Sequence, residues 1–267
     1  MAALPERLGV VAGGGLLPAK LLAFCDSHGI ETFVVGFDGH VDPALFHGRD
    51  HMLTRIGAAG TIFQTLHEKG FEDLVLIGSV RRPKLSELRP DLRTARFFAR
   101  LGLRAIGDDG LLKALRAELE GDGFTLYGIH ELMTGLLMPK GVLGKCHPTE
   151  GQYEDIRVGL AASRRLGEED IGQCVVTLDE EVLGTEDEEG TDALIRRAAR
   201  KGAILVKSSK PQQDRKLDLP TLGSETVRLC AGLGYAGIAA EYDGILLADR
   251  EVMVPLADEL GLFIVGV

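Results

Sequence analysis

The stretch Leu8-Gly-Val-Val-Ala12-Gly-Gly-Gly15-Leu-Leu-Pro18 joins a short apolar run to a glycine turn and then to the opening of an amphipathic segment. Residues 8–12 read as a buried strand, and residues 16–28 as a helix with Pro18 in its first turn and Gly29 at its stop. Working outward, residues 32–36 and 74–77 read as further strands. Residues 61–69, closed by Gly70, read as a helix, as do 92–103 and 110–119, and residues 124–127 as a last strand of this half. Strands alternating with helices predict parallel β-α-β units, and so an α/β fold with a Rossmann-like N-terminal domain over residues 1–137.

Residues 138–148 hold Pro and Gly without a period and read as a connection. Thr149-x-x-Gln152 is a capping-box pattern, with Tyr153, Ile156 and Leu160 on one face behind it, so a helix starts there. The second half continues with a hairpin of residues 173–178 and 181–185 around Asp179-Glu180. Helices over 191–201, 224–233 and 250–260 alternate with strands at 204–207, 237–241, 244–247 and 262–265. Residues 149–267 are thus a second α/β domain, expected to carry the catalysis, with a ligand cleft between the two domains.

Composition narrows the function. The 267 residues are 45% apolar and 26% charged, with 35 glycines and no Trp, which excludes global disorder. The net charge of -10 repels duplex nucleic acid on average, so none is expected as a partner. No apolar run approaches the ~18 residues of a membrane span. The four cysteines, Cys25, Cys146, Cys174 and Cys230, form no C-x-x-C pair and read as reduced cytosolic thiols. Cys146 beside His147 reads as a loop before Pro148 rather than a metal site or nucleophile. His130 and His147 alone among the seven histidines merit a check. There is no G-x-S-x-G elbow, no H-E-x-x-H and no zinc spacing.

Several sites remain as chemistry. The Gly13–Gly15 turn opens a helix and would aim N–H groups at an anion, or would simply be a structural turn. As a dinucleotide fingerprint it is degraded, because Pro18 stands where glycine is wanted and Asp38 is loosely spaced for a ribose. Gly78-Ser-Val-Arg81-Arg82-Pro83 follows a strand, where open α/β sheets place ligands. Its arginines would clamp phosphate, or pair with Glu87 and Asp91. Asp108-Asp109 reads as a helix cap. Seven acids lie between Asp179 and Glu189, followed by Gly190-Thr191-Asp192. Then comes Lys207-Ser-Ser-Lys210-Pro-Gln-Gln213-Asp214-Arg215-Lys216-Leu-Asp218-Leu-Pro220-Thr221, which mixes cations with carboxylates. Carboxylates suit a hard cation such as Mg²⁺, and Lys or Arg beside them would neutralise phosphate oxygens. A plain polar surface loop would share that composition.

Taken in order, Ala12 to Pro18, Gly78 to Pro83, Gly107-Asp-Asp109, Glu186-x-x-x-Gly190-Thr-Asp192 and Lys207 to Thr221 resemble the LpxI-type UDP-2,3-diacylglucosamine pyrophosphatases of lipid A biosynthesis, over essentially the whole chain. The resemblance implies hydrolysis of UDP-2,3-diacylglucosamine to UMP and 2,3-diacylglucosamine 1-phosphate (lipid X), with Mg²⁺ or another divalent cation. It makes Asp218 the first choice for the essential carboxylate and Asp214 the second, metal ligand and general base being left open between them. Lys207 and Arg215 would stabilise developing charge. Glu186 and Asp192 would complete the metal shell with Asp214 and Asp218. Gly13, Gly14, Gly15, Arg81, Thr191, Gln213 and Thr221 would hold substrate. Leu136, Leu137, Met138, Val142 and Leu143 would meet the acyl chains or pack the domain interface. A cytoplasmic enzyme in transient contact with the inner membrane surface is expected, as a homodimer. The rival readings are a nucleotide-sugar or dinucleotide-dependent enzyme and a non-catalytic UDP-sugar-binding module.

Overall fold

The computed structural model describes residues 4–81, 88–101 and 108–267, with only the backbone of Asp108 and Asp109. The chain divides into two compact units: Met1–Met133 together with Asp214–Asp218, and Thr134–Gln213 together with Leu219–Val267.

In the first unit the elements run β1 (Arg7–Ala12), α1 (Leu17–His28), β2 (Glu31–Phe37), β3 (Asp50–Thr54), α2 (Ala59–Lys69), β4 (Asp73–Ile77), α3 (Leu92–Leu101), α4 (Asp108–Gly121), β5 (Thr125–Tyr127) and α5 (Ile129–Leu132). The five strands form one parallel sheet in the order β3-β2-β1-β4-β5. This is the Rossmann-like arrangement that the alternating pattern predicts. The central strands are apolar without interruption because both of their faces are covered. Val10 sits between Val34 and Val75, and all three are fully buried. One core cluster gathers Phe33, Val35, Phe63, Leu66, Leu74 and Leu126, with Leu217 packed against it from the returning segment. α1 takes Pro18 in its first turn and stops at Gly29, whose φ of 68° is left-handed.

The second unit contains β6 (Gly141–Leu143), α6 (Glu150–Glu168), β7 (Cys174–Leu178), β8 (Glu181–Thr185), α7 (Thr191–Arg197), β9 (Ile204–Lys207), β10 (Thr221–Leu222), α8 (Ser224–Gly232), β11 (Gly237–Ala240), β12 (Leu246–Leu247), α9 (Arg250–Leu260) and β13 (Phe263–Gly266). Its main sheet is mixed, in the order β6-β13-β11-β9-β7-β8, while β10 and β12 pair separately. β9, β11 and β13 are parallel; β6, β7 and β8 run antiparallel to their neighbours. The Thr149–Gln152 capping box forms as read, with Gln152 N–H donating to Thr149 Oγ at 3.3 Å and Thr149 N–H to Gln152 Oε1 at 2.9 Å. Asp179 and Glu180 both take positive φ, 51° and 60°, the pairing a two-residue hairpin needs to match strand twist.

Two readings of the chain change. Residues 138–148, expected as a connection, carry β6, which pairs antiparallel with β13 through Val142 and Val265. Just before it, Met138 N–H donates to Ile245 O and Leu247 N–H to Leu136 O, so the stretch is woven into the second unit. Residues 214–218, expected within a domain spanning 149–267, pack with the first unit. β3 was not anticipated either. Asp50-His-Met-Leu-Thr54 is an edge strand with no buried residue, so it lacks the apolar alternation that would announce it.

Candidate functional site

The glycine turn after β1 is closed by backbone. Gly13 N–H donates to Ile77 O at 2.8 Å, and Gly14 and Ser79 exchange both of their N–H···O bonds, at 2.8 and 2.9 Å. A Cβ on Gly13 would stand 2.5 Å from Ser79 O, which explains glycine there. These bonds consume the N–H groups of Gly13 and Gly14. What the turn offers an anion is therefore Gly15, at φ 97°, and the start of α1, where Leu16 supplies no side-chain cap. A pyrophosphate cradle across all three glycines is not available, which removes the main support for a dinucleotide site. Arg81 is exposed and its N–H donates to His40 Nδ1 at 3.2 Å. Arg82, Pro83, Glu87 and Gly107 lie outside the described residues, as do the side chains of Asp108 and Asp109, which open α4.

Asp91, the other suggested partner of the arginines, is engaged as a cap. It accepts from Thr94 N–H at 2.8 Å and from Gly60 N–H at 2.7 Å. Burial alone would raise its pKa, but these hydrogen bonds outweigh burial and hold the carboxyl below its usual range.

The segment that returns to the first unit is a tight turn built on Asp214. The Asp214 carbonyl accepts from Leu217 N–H at 3.1 Å and Asp218 N–H at 2.9 Å. Its Oδ1 accepts from Lys216 N–H at 2.9 Å and its Oδ2 from Arg116 Nη1 at 3.0 Å, with only 6% of the side chain exposed. Lys216 Nζ donates to Leu126 O at 2.8 Å, and Leu217 enters the core. Backbone, core and buried carboxylate thus hold the turn rigid, and it presents Asp218 half-buried and Arg215 exposed. Of the two aspartates, Asp214 is spent on positioning. Asp218 lies half-buried on the same turn.

In the second unit a polar cluster lies at the carboxyl end of β9. Lys207 is 7% exposed, faces Cys174 across the sheet, and donates through Nζ to Thr221 O at 2.9 Å. It thereby closes the loop of residues 208–220. Glu186 is also 7% exposed; one oxygen accepts from Gln173 N–H at 2.8 Å and the other from the Thr191 hydroxyl. Thr191 Oγ1 lies 3.6 Å from Cys174 Sγ, whose thiol burial pushes up to about 11. That thiol is inert as a nucleophile. Gln213 turns back, its Oε1 accepting from Lys210 N–H at 3.2 Å, and Thr221 Oγ1 donates weakly to Leu219 O at 3.4 Å.

Glu186 and Asp192, expected as metal ligands, have other occupations. Both Glu186 oxygens carry hydrogen bonds, and Asp192 stands 66% exposed on α7, 3.9 Å from Arg196. Among the described residues no three His, Cys, Asp or Glu side chains gather as a cation site. Among the described residues, the carboxylates of the second unit thus form no cage of their own. One carboxylate does fit Mg²⁺, which commonly takes one or two from the protein and fills its remaining positions with phosphate oxygens and water. Asp218 is the carboxylate of the Asp214 turn that would serve there.

Sequence reasoning missed the neighbours of Lys207. Ser209 donates N–H (2.8 Å) and hydroxyl (2.6 Å) to Glu241, which also accepts from Arg164 at 2.8 Å. Ser208 is fully buried, and among the described residues its hydroxyl has no hydrogen-bond partner. Their place at the end of a parallel strand was the available signal. Met138 and Leu143 belong to the second core rather than to a lipid surface. Leu136 instead lines a cavity of about 440 Å³ with Leu247, Val254, Pro255, Arg250 and Glu251. Cys146 is half-buried and His147 exposed in the loop before Pro148.

Two family models cover nearly all of the chain: LpxI N-terminal domain over residues 7–136 and LpxI C-terminal domain over residues 139–265. The chain belongs to the LpxI family. One LpxI relative, the UDP-2,3-diacylglucosamine pyrophosphatase LpxI of Caulobacter vibrioides, is 38% identical over 276 residues, spanning 98% of both chains. The boundary between the two LpxI models, at residues 136–139, falls close to the first passage between the two compact units at Met133–Thr134.

Proposed function

We propose that this chain hydrolyses the pyrophosphate bond of UDP-2,3-diacylglucosamine to UMP and 2,3-diacylglucosamine 1-phosphate, a step of lipid A biosynthesis. The observation that carries the reading is the end-to-end match to a pyrophosphatase of that name at 38% identity. Water adds to the phosphorus on the sugar side, the bond to the bridging oxygen breaks, and UMP leaves with that oxygen. Asp218 serves the reaction from the turn that Asp214, Arg116 and Lys216 hold in place. Arg215, exposed beside it, neutralises phosphate oxygens. Lys207 acts at one remove, fixing the Thr221 end of the loop through its backbone bond. Asp218 would hold a divalent cation such as Mg²⁺, which when bound would supply charge neutralisation and a polarised water. Gly15 and the opening of α1 favour an anionic group of the nucleotide. The reaction takes place at the cytoplasmic face of the inner membrane, where its diacyl substrate resides.

The test is turnover of UDP-2,3-diacylglucosamine with Mg²⁺, with and without EDTA, beside Asp218→Ala. The expected result is UMP and lipid X from the wild type with metal only. The mutant should be slower by at least the ~10²–10³-fold typical of a lost transition-state group. No UMP from folded wild type overturns the reading. Metal-dependent turnover that survives in the mutant overturns the role of Asp218.

A further inference from the structure

α3 presents an unusual face for a chain of net charge -10. Residues 88–101 contain four arginines and a single carboxylate, Asp91, and that carboxylate is occupied as a cap. The inner side of α3 buries Thr94, whose hydroxyl donates to Gly57 O at 2.8 Å. Arg93 lies over the Phe63 ring at 4.1 Å and pairs with Glu118 and Asp122, while Arg100 also reaches Glu118. The outer side carries Leu92, Ala95, Arg96 and Ala99, at helical spacings of three and four, with Phe98 on its shoulder. Leu92 is 67% exposed and Phe98 37%. Among the described residues Arg96 has no carboxylate partner.

We infer that the outer face of α3 docks the protein on an anionic lipid surface, with Leu92 and Phe98 entering the headgroup boundary and Arg96 meeting lipid phosphate. Charge complementarity picks the occupant. A helix with arginines flanking exposed large apolar side chains suits a surface that is negative outside and apolar just beneath. A nucleic-acid backbone would use the arginines and leave Leu92 in water. One arginine without a carboxylate partner among the described residues and two apolar side chains give weak, reversible attachment, suited to an enzyme that takes a lipid and releases its product. That last point rests on the function proposed above; the surface itself is argued from α3 alone.

The test is co-sedimentation of the full chain with vesicles of phosphatidylethanolamine and phosphatidylglycerol, and with phosphatidylcholine vesicles as control. The expected result is binding to the anionic vesicles only, weakened by salt. Arg96→Glu should lower partitioning at least about fivefold, from the lost lipid attraction. Leu92→Ser should lower it by about tenfold, the scale of one leucine left unburied. Both variants should keep the wild-type unfolding midpoint and the wild-type turnover of detergent-solubilised substrate. No binding of wild type to anionic vesicles overturns the inference. So does wild-type binding by both variants, or loss of micellar turnover in both. Oligonucleotide binding that needs Arg96 but ignores Leu92 also overturns it, in favour of a nucleic-acid partner. Vesicle binding without any hydrolysis would overturn the proposed reaction and leave this surface standing.

Discussion

At the carboxyl end of β1 the chain turns on glycines, and the N–H groups of Gly13 and Gly14 are taken by Ile77 and Ser79. At the carboxyl end of β9 it turns on Lys207, Ser208 and Ser209, whose side chains are wholly or largely withdrawn from water. Both turns end parallel strands, where α/β proteins place ligands. The first is a steric solution, in which two backbone segments approach until no Cβ fits between them. The second is an electrostatic solution, in which Lys207, Glu186 and Glu241 each fix a neighbouring segment of backbone. The first turn should therefore respond to volume and ignore pH. The second should respond to charge.

The largest expected effect comes from Glu186→Ala. It leaves the Gln173 N–H and the Thr191 hydroxyl without their acceptor, and two buried bonds to a charged group should cost about 3–6 kcal/mol. Urea unfolding measures this directly. A variant as stable as the wild type but starved of metal would return Glu186 to the role of ligand and break the comparison. Next comes Gly13→Ala, whose added methyl would meet Ser79 O at 2.5 Å. Overpacking of this kind costs about 1–3 kcal/mol, and the loss should be the same at acid and neutral pH. A loss that grew with acidity would place a titrating group at the turn.

The smallest effect concerns Glu241. Burial raises its pKa, but the bonds from Ser209 and Arg164 outweigh burial and leave it lowered. A carboxyl lowered on folding adds stability above its unfolded pKa, about 4.3, and that stability fades as pH falls through the folded value. Arg164→Met should therefore move the onset of acid unfolding to higher pH. The cost at neutral pH should stay below about 1 kcal/mol, because Arg164 is half-exposed. Circular dichroism across an acid titration checks it. An unchanged onset would show that Ser209 alone sets the Glu241 charge.

Features written in consecutive residues were legible in the sequence. The strand–turn–helix of β1 and α1, the Thr149–Gln152 box and the Asp179-Glu180 hairpin each rest on contacts within a few positions. Features set by distant partners were not. Asp214 looks like a ligand until Arg116, 98 residues earlier, claims its second oxygen. Asp91 looks like a partner for arginine until Gly60 and Thr94 occupy it. β6 has three residues and exists because β13 is there to pair with it. Acidic residues spaced alike along the chain carry no mark of which will be buried, so the four-carboxylate shell could be neither built nor dismissed by spacing alone.

The return of Asp214–Asp218 to the first unit also sets an order of events during synthesis. As the chain leaves the ribosome, all of Met1–Met133 emerges before any part of this turn exists. The first unit must wait, its core lacking Leu217 and its Arg116 lacking Asp214, until some eighty residues of the second unit have been made. Completion of the fold and delivery of Asp218 are then one event, so a half-made chain holds neither a finished first unit nor the carboxylate proposed for its chemistry.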